Sequence, residues 1–228
     1  MITIKDLTVS YEKPIKVING LSLSLGEDTI HGIVGLNGSG KTTLLNTLYG
    51  IKKPDAGVIR RDGSPLTKKQ MSYLVTENYF YANITGREYL GLFKNQAFDE
   101  DKWNQLFLLP LDQIIDGYST GMKKKLALLG ILKQDKPIMI LDEPFNGLDI
   151  ETCRVIRSIL LRLKEKRKTI VITSHIIETL TNLCDFIHFL ENGAIKISHD
   201  KTGFNAFERE IFESIENRNM QMIDDLMK

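Results

Sequence analysis

The stretch GLNGSGKT, Gly35 to Thr42, decides the fold. It satisfies the pattern G-x-x-x-x-G-K-[ST] at every defined position, and its surroundings suit that pattern. IHGIV (30–34) ahead of it reads as a short buried strand, and KTTLLNTLYG (41–50) behind it reads as a helix closed by Gly50. Gly35, Gly38 and Gly40 let the backbone curl until successive N–H groups point at one anion. The following helix turns the positive end of its dipole toward the same charge. Lys41 adds a mobile cation suited to β and γ phosphates, and Thr42 a hydroxyl suited to Mg²⁺. Asn37, Gly38, Ser39, Gly40, Lys41, Thr42 and Thr43 are the candidate nucleotide contacts.

Downstream, PIMILDEPF (137–145) is a buried apolar strand ending in two carboxylates. Asp142 at its tip is placed to hold a metal shell, and Glu143 just beyond is placed to accept a proton from an attacking water. Alone, a paired acid after a strand says little. Beside a complete phosphate loop, at the edge of a parallel sheet where ligands collect, it points to nucleotide hydrolysis.

The rest of the chain is arranged around these two stretches. ITIKDLTV (2–9) and LSLSL (21–25) alternate apolar and polar residues, as strands with one wet face do. KKPDAGVIRRDG (52–63) reads as turn-rich and MSYLVT (71–76) as a strand. From about Ile84 to Lys133 the spacing turns helical, which predicts a helical insert. Beyond it come PIMILD, IETCRVIRSILLRLKEK (150–166), TIVITS (169–174), IIETLTNLC (176–184) and FIHFLENGAIKI (186–197), in which strands alternate with helices. That order predicts an α/β fold, a mainly parallel sheet covered on both faces, beside an antiparallel N-terminal β-subdomain. The tail from about 204 to 228 reads as a helix with Phe207, Ile211, Ile215, Met222 and Leu226 near one side, packed on its own domain.

Composition narrows the function. The chain has 228 residues, 42% hydrophobic and 26% charged, enough for one large domain with a sizeable core. A net charge of +1 leaves no global signal for nucleic acid or an anionic membrane. Cys153 and Cys184 lack metal-site spacing and read as reduced thiols. The opening MITIKDLTVS lacks the apolar core of a signal peptide, and no apolar run approaches the ~20 residues of a membrane span.

Taken in order, GLNGSGKTT, YSTGM (118–122), IMILDEPFNGLD (138–149) and VITSH (171–175) resemble the nucleotide-binding subunit of ATP-binding-cassette transporters, a P-loop NTPase. The likeness runs from Tyr11 to about Gly193, so the chain reads as a single cassette over 1–228. It implies an ATPase that uses ATP and Mg²⁺, with Thr42 and Asp142 on the metal, Glu143 as base and His175 as the switch histidine. It also places Tyr11 on the adenine, with Val17 beside it, and Asp149 in a loop that carries signals between two sites. Ser119 and Gly121 would close over the ATP of a second chain, in a homodimer or a dimer with a similar subunit. Integral membrane subunits would dock near Thr76 to Thr85 and the insert, with Tyr79, Phe80 and Tyr81 as candidate grips. The chain would then lie in the cytoplasm, peripheral to the membrane, and bind no nucleic acid.

The chain departs from the family pattern twice. The signature reads YSTGM where LSGGQ is usual, keeping the serine and the second glycine, with a helix opening near Met122. Where the family carries a metal-reaching Gln, this chain has Thr76 followed by Glu77, and either could stand in for it. The compact form and the signature suggest an export-type transporter. The alternatives are a soluble non-transport cassette ATPase and an ATP-clamping regulatory module. Lys123 to Lys125 read as a solvated or dipole-neutral face, and His31, His188 and His199 as structural.

Overall fold

The computed structural model describes the backbone of residues 1–12 and 14–227, and their side chains except 214–219, 221–223 and 225. Its elements run in chain order as β1 (Ile2–Ser10), β2 (Lys16–Leu25), β3 (Ile30–Val34), α1 (Lys41–Tyr49), β4 (Ala56–Arg61), β5 (Ser64–Pro65) and β6 (Met71–Leu74). Then follow α2 (Gly86–Gly91), α3 (Glu100–Asn104), α4 (Thr120–Gln134), β7 (Ile138–Asp142), α5 (Ile150–Glu165), β8 (Thr169–Ser174) and α6 (Ile177–Thr181). A hairpin of β9 (Phe186–Glu191) and β10 (Ala194–Asp200) leads to the long α7 (Phe204–Leu226).

Two sheets result. The first has order β2-β1-β4-β5 and is antiparallel. Its alternating pattern buries Ile2, Ile4, Leu7 and Val9 on one face, with the phase reset by a bulge where Asp6 takes a positive φ of 49°. The second has order β10-β9-β3-β8-β7-β6 and is parallel except for β10. Its strands β3, β7 and β8 are buried at every position, which is why they read as unbroken apolar runs. One core lies between the two sheets and around α1, through Ile33, Leu44, Leu45, Ile140 and Val171. The other covers the opposite face with the insert, α5, α6 and the start of α7.

Four expectations change. Residues 52–63 are not mainly turn, because Ala56–Arg61 is a strand paired with β1; Gly57 meets the Asp6 bulge, where a Cβ would lie 2.5 Å from the Asp6 carbonyl oxygen. The insert is helical only in pieces, with α2 and α3 each about a turn long and α4 its one long helix. FIHFLENGAIKI is a hairpin that turns at Asn192 and Gly193, both at positive φ. In α7, Phe207 and Ile211 are buried but Leu226 is 81% exposed, so the apolar side does not pack along its whole length. The side chains of Ile215 and Met222 lie outside those described. Among the described residues no helix is long and apolar enough to cross a membrane.

The three histidines read as structural pack as side chains within the fold. His31 Nδ1 lies 3.1 Å from His188 Nε2, and His188 Nδ1 lies 2.8 Å from Ser198 Oγ, linking β3, β9 and β10. Burial lowers their pKa values to about 4 and about 3, so both rings are neutral. His199 lies edge-on to Phe207 on α7.

Candidate functional site

The parallel strands β3, β7 and β8 end at one edge, and the turns leaving that edge build a cleft of about 690 Å³. The turn after β3 supplies the glycine loop. Gly38 and Gly40 hold φ values of 80° and 108°, conformations that need glycine. Gly35 is required for a different reason: a Cβ there would lie 2.4 Å from the Leu190 carbonyl oxygen and 2.6 Å from Ser39 Oγ. Lys41 folds back over the loop, its Nζ donating to the Gly35 carbonyl at 2.6 Å and the Leu36 carbonyl at 3.3 Å. Burial pushes its pKa down, and the Glu143 and Asp142 carboxylates pull the other way.

The tips of β7 and β8 complete the cleft. Thr42 Oγ1 donates to Asp142 Oδ2 at 2.8 Å, and Thr173 Oγ1 donates to Asp142 Oδ1 at 2.6 Å. Thr173 Oγ1 also accepts from the Glu143 N–H at 3.0 Å. Glu143 itself has a positive φ of 49°, a strain of roughly 1–3 kcal/mol for a residue with a side chain. Its Oε2 lies 3.0 Å from His175 Nδ1, so base and switch candidates touch. Asn37, Gly38, Ser39, Gly40, Lys41, Thr42, Thr43, Asp142, Glu143 and His175 all line this one cleft.

Tyr11 and Val17 stand at its rim. Tyr11 is 57% exposed, with Lys52 Nζ 4.6 Å from its ring centroid, and its open ring can receive a base. Of the two residues in place of the usual Gln, Thr76 lines the cleft, whereas Glu77 does not and accepts from the Tyr79 hydroxyl at 3.3 Å.

Ser119, Gly121 and Asp149 do not line this cleft. Ser119 is exposed and caps α4, its Oγ accepting from the Met122 N–H at 3.2 Å. The helix therefore opens at Thr120, two residues before Met122. Tyr118 is buried and anchors this tip by donating to the Pro110 carbonyl at 2.6 Å. Asp149 caps α5 through the Thr152 N–H and hydroxyl, both at 2.7 Å, and these bonds lower its pKa to about 2. Tyr79 and Tyr81 are exposed, while Phe80 is half-buried and stacks edge-on against Tyr89 in the insert.

The lysine run is not a uniformly solvated face. Lys124 is only 7% exposed, and its Nζ donates to the Glu143 carbonyl at 2.8 Å and the Asn146 carbonyl at 3.0 Å. It occupies the buried stripe of α4 with Leu128, Ile131 and Leu132, and that four-residue spacing was the available signal. Thr173 and Asn146 were also missed. Thr173 stands out only as a hydroxyl inside an apolar strand, two residues before His175.

The hard oxygens of Thr42 and Asp142, already joined by a short hydrogen bond, fit a Mg²⁺ ion. Among the described residues no cluster of three His, Cys, Asp or Glu could hold a metal ion.

Known proteins agree with this architecture. The family model described as ABC transporter matches residues 18–146. The ABC transporter ATP-binding protein NatA of Bacillus subtilis (strain 168) is 31% identical over 215 residues, 86% of this chain and 87% of that protein. The structure of the ATP binding subunit of an ABC transporter superposes with a TM-score of 0.79 at 25% identity, covering 88% of this chain and 90% of the other. A dimeric post-hydrolysis state of the cassette MJ0796 bound to ADP and Pi shares the fold, with a TM-score of 0.79 at 21% identity, over 88% of this chain and 99% of that one. With the glycine loop, the Asp142–Glu143 tip and His175 converging on one cleft, the chain belongs to the ABC transporter family, as one of its ATP-binding, ATP-hydrolysing cassettes.

Proposed function

We propose that this cleft holds ATP between two chains, and that its hydrolysis drives export-type transport through separate membrane subunits from the cytoplasmic face. The contact of Glu143 with His175 at 3.0 Å, facing the glycine loop, carries this reading. Lys41 and the loop amides bind the triphosphate, and Tyr11 with Val17 takes the adenine. Thr42 and Asp142 would hold Mg²⁺, with Thr76 alongside, and the ion would supply positive charge beside the phosphates. Glu143 accepts the proton of the water that attacks the γ phosphorus, and His175 keeps that carboxylate turned toward it.

The dimer is supported by what the single chain leaves open. Ser119 and Gly121 lie outside its cleft, at an exposed helix tip. A helix N-terminus from a second chain would exclude water from the γ phosphate and tie closure to the nucleotide. Asp149, exposed next to that tip, would then lie at the seam. The export direction rests on the compact cassette and its Tyr-Ser-x-Gly-Met signature.

The test uses Glu143→Gln. Hydrolysis should fall by ~10²–10⁴ while ATP binding persists, and size-exclusion chromatography with ATP should show a dimer. Adding Ser119→Arg should remove that dimer. Wild-type hydrolysis by Glu143→Gln refutes the base, and a dimer indifferent to Ser119→Arg refutes the cap.

A further inference from the structure

An ammonium group rarely lies inside a protein without a carboxylate partner, because burial strips its hydration. Lys124 does so. The described acceptors of its Nζ are two backbone carbonyls, those of Glu143 and Asn146. A methionine or leucine would fill the same stripe of α4 without that desolvation, so packing alone does not account for a lysine.

Both acceptors belong to the turn that carries the base. Glu143 takes a left-handed conformation that side chains disfavour, and such a residue persists only when its neighbours hold both of its peptide groups. Thr173 Oγ1 holds the N–H side at 3.0 Å; on the carbonyl side Lys124 Nζ donates at 2.8 Å and the Asn146 N–H at 3.2 Å, and Lys124 supplies the shorter, charged bond. The second bond to Asn146 O, at 3.0 Å, ties in the loop leading to Asp149. One further contact joins the same helix tip to that loop, Lys125 Nζ lying 3.5 Å from Asp149 Oδ2, and Gly121 passes near Gly147, whose carbonyl oxygen a Cβ at Gly121 would meet at 3.5 Å.

We propose that Lys124 is a positioning residue for hydrolysis: its buried ammonium pins the Glu143 and Asn146 carbonyls, fixing the Glu143 carboxylate toward the nucleotide and joining the helix tip that caps a partner's ATP to the chain's own catalytic turn. The role rests on Glu143 acting as base. It makes α4 the mechanical link between the two sites of a dimer, since displacing the tip at Ser119 moves the Lys124 ammonium one turn away.

The experiment compares Lys124→Met, Lys124→Arg and Glu143→Gln as purified full-length chains, measuring ATP turnover and the affinity for a fluorescent ATP analogue. Lys124→Met should lose about 10- to 100-fold in kcat, the scale of a catalytic group displaced by an ångström. Its nucleotide affinity should stay within about twofold of wild type, because a transition-state interaction alone has been removed. Lys124→Arg, which keeps donors for both carbonyls, should restore most of the rate. In the Glu143→Gln background Lys124→Met should lower the residual rate no further, since both changes act through one carboxylate. If Lys124→Met does not fold, Lys124→Gln, too short to reach both carbonyls, should show the same loss in kcat.

Wild-type kcat in Lys124→Met or Lys124→Gln overturns the proposal, and so does a loss of affinity matching the loss of rate. A silent Lys124→Met beside an inactive Glu143→Gln removes only the positioning role. An active Glu143→Gln removes the base assignment and the positioning role with it.

Discussion

Replacing Thr173 with valine keeps the shape of a fully buried side chain and deletes one hydroxyl. That hydroxyl serves two neighbours, donating to Asp142 Oδ1 at 2.6 Å and accepting from the Glu143 N–H at 3.0 Å. Losing a hydrogen bond to a charged group costs about 1.5–3 kcal/mol, and stranding a buried N–H costs about 1–3 kcal/mol. Asp142 is only 1% exposed, so water cannot make up the loss, and Thr42 remains as its other described partner. Together the two losses come to about 2.5–6 kcal/mol, a large share of the ~5–15 kcal/mol that holds a domain folded. For a chain of this length that predicts a drop in Tm of about 10 °C, at about 2–4 °C per kcal/mol. Differential scanning calorimetry of Thr173→Val beside Thr173→Ser measures it, the serine keeping the hydroxyl and losing only a methyl. Turnover should fall in the valine variant as the Glu143 N–H loses its described acceptor. A valine variant that melts within about 2 °C of wild type, or no lower than the serine variant, refutes the network.

Gly35→Ala should unfold or distort the phosphate loop, because the new methyl meets a backbone carbonyl oxygen at 2.4 Å; nucleotide affinity measured by fluorescence should fall at least ~100-fold, as loop amides displaced by about an ångström no longer converge. His31 and His188 predict acid sensitivity. Burial holds their folded pKa values at about 4 and about 3, below the ~6.5 of the unfolded chain, so the unfolded state takes up protons first as pH falls. Stability is then complete above pH ~6.5 and lost downward from there, by about 2 kcal/mol for each histidine at pH ~5. Urea unfolding midpoints between pH ~7.5 and ~5 read this above the ordinary carboxylate range, and a flat profile would contradict it.

Much of the fold was legible because local rules and global packing agreed. The glycine loop, the strand before it and the helix after it each obey a short-range rule, and so does the Asp142–Glu143 tip. Where burial is uneven along an element, the reading failed. β4 was hidden because it is largely exposed and flanked by turn residues, leaving little periodicity. The β9–β10 turn was hidden because Asn192–Gly193 interrupts what looks like one apolar run. The end of α7 was misread because a helical stripe shows that a face could pack, not that anything faces it.

The sequence by itself determined that this chain has a phosphate loop, two acidic groups after a buried strand and a second capped helix tip, since each is set by residues within about ten positions of one another. Only the tertiary structure decided that Thr76 rather than Glu77 lines the cleft, that Thr173 serves both Asp142 and Glu143, and that Lys124 reaches the carbonyls of the Glu143 turn. The Thr173 and Lys124 contacts join residues 19 to 31 positions apart, and a buried lysine looks like a solvated one until the elements pack.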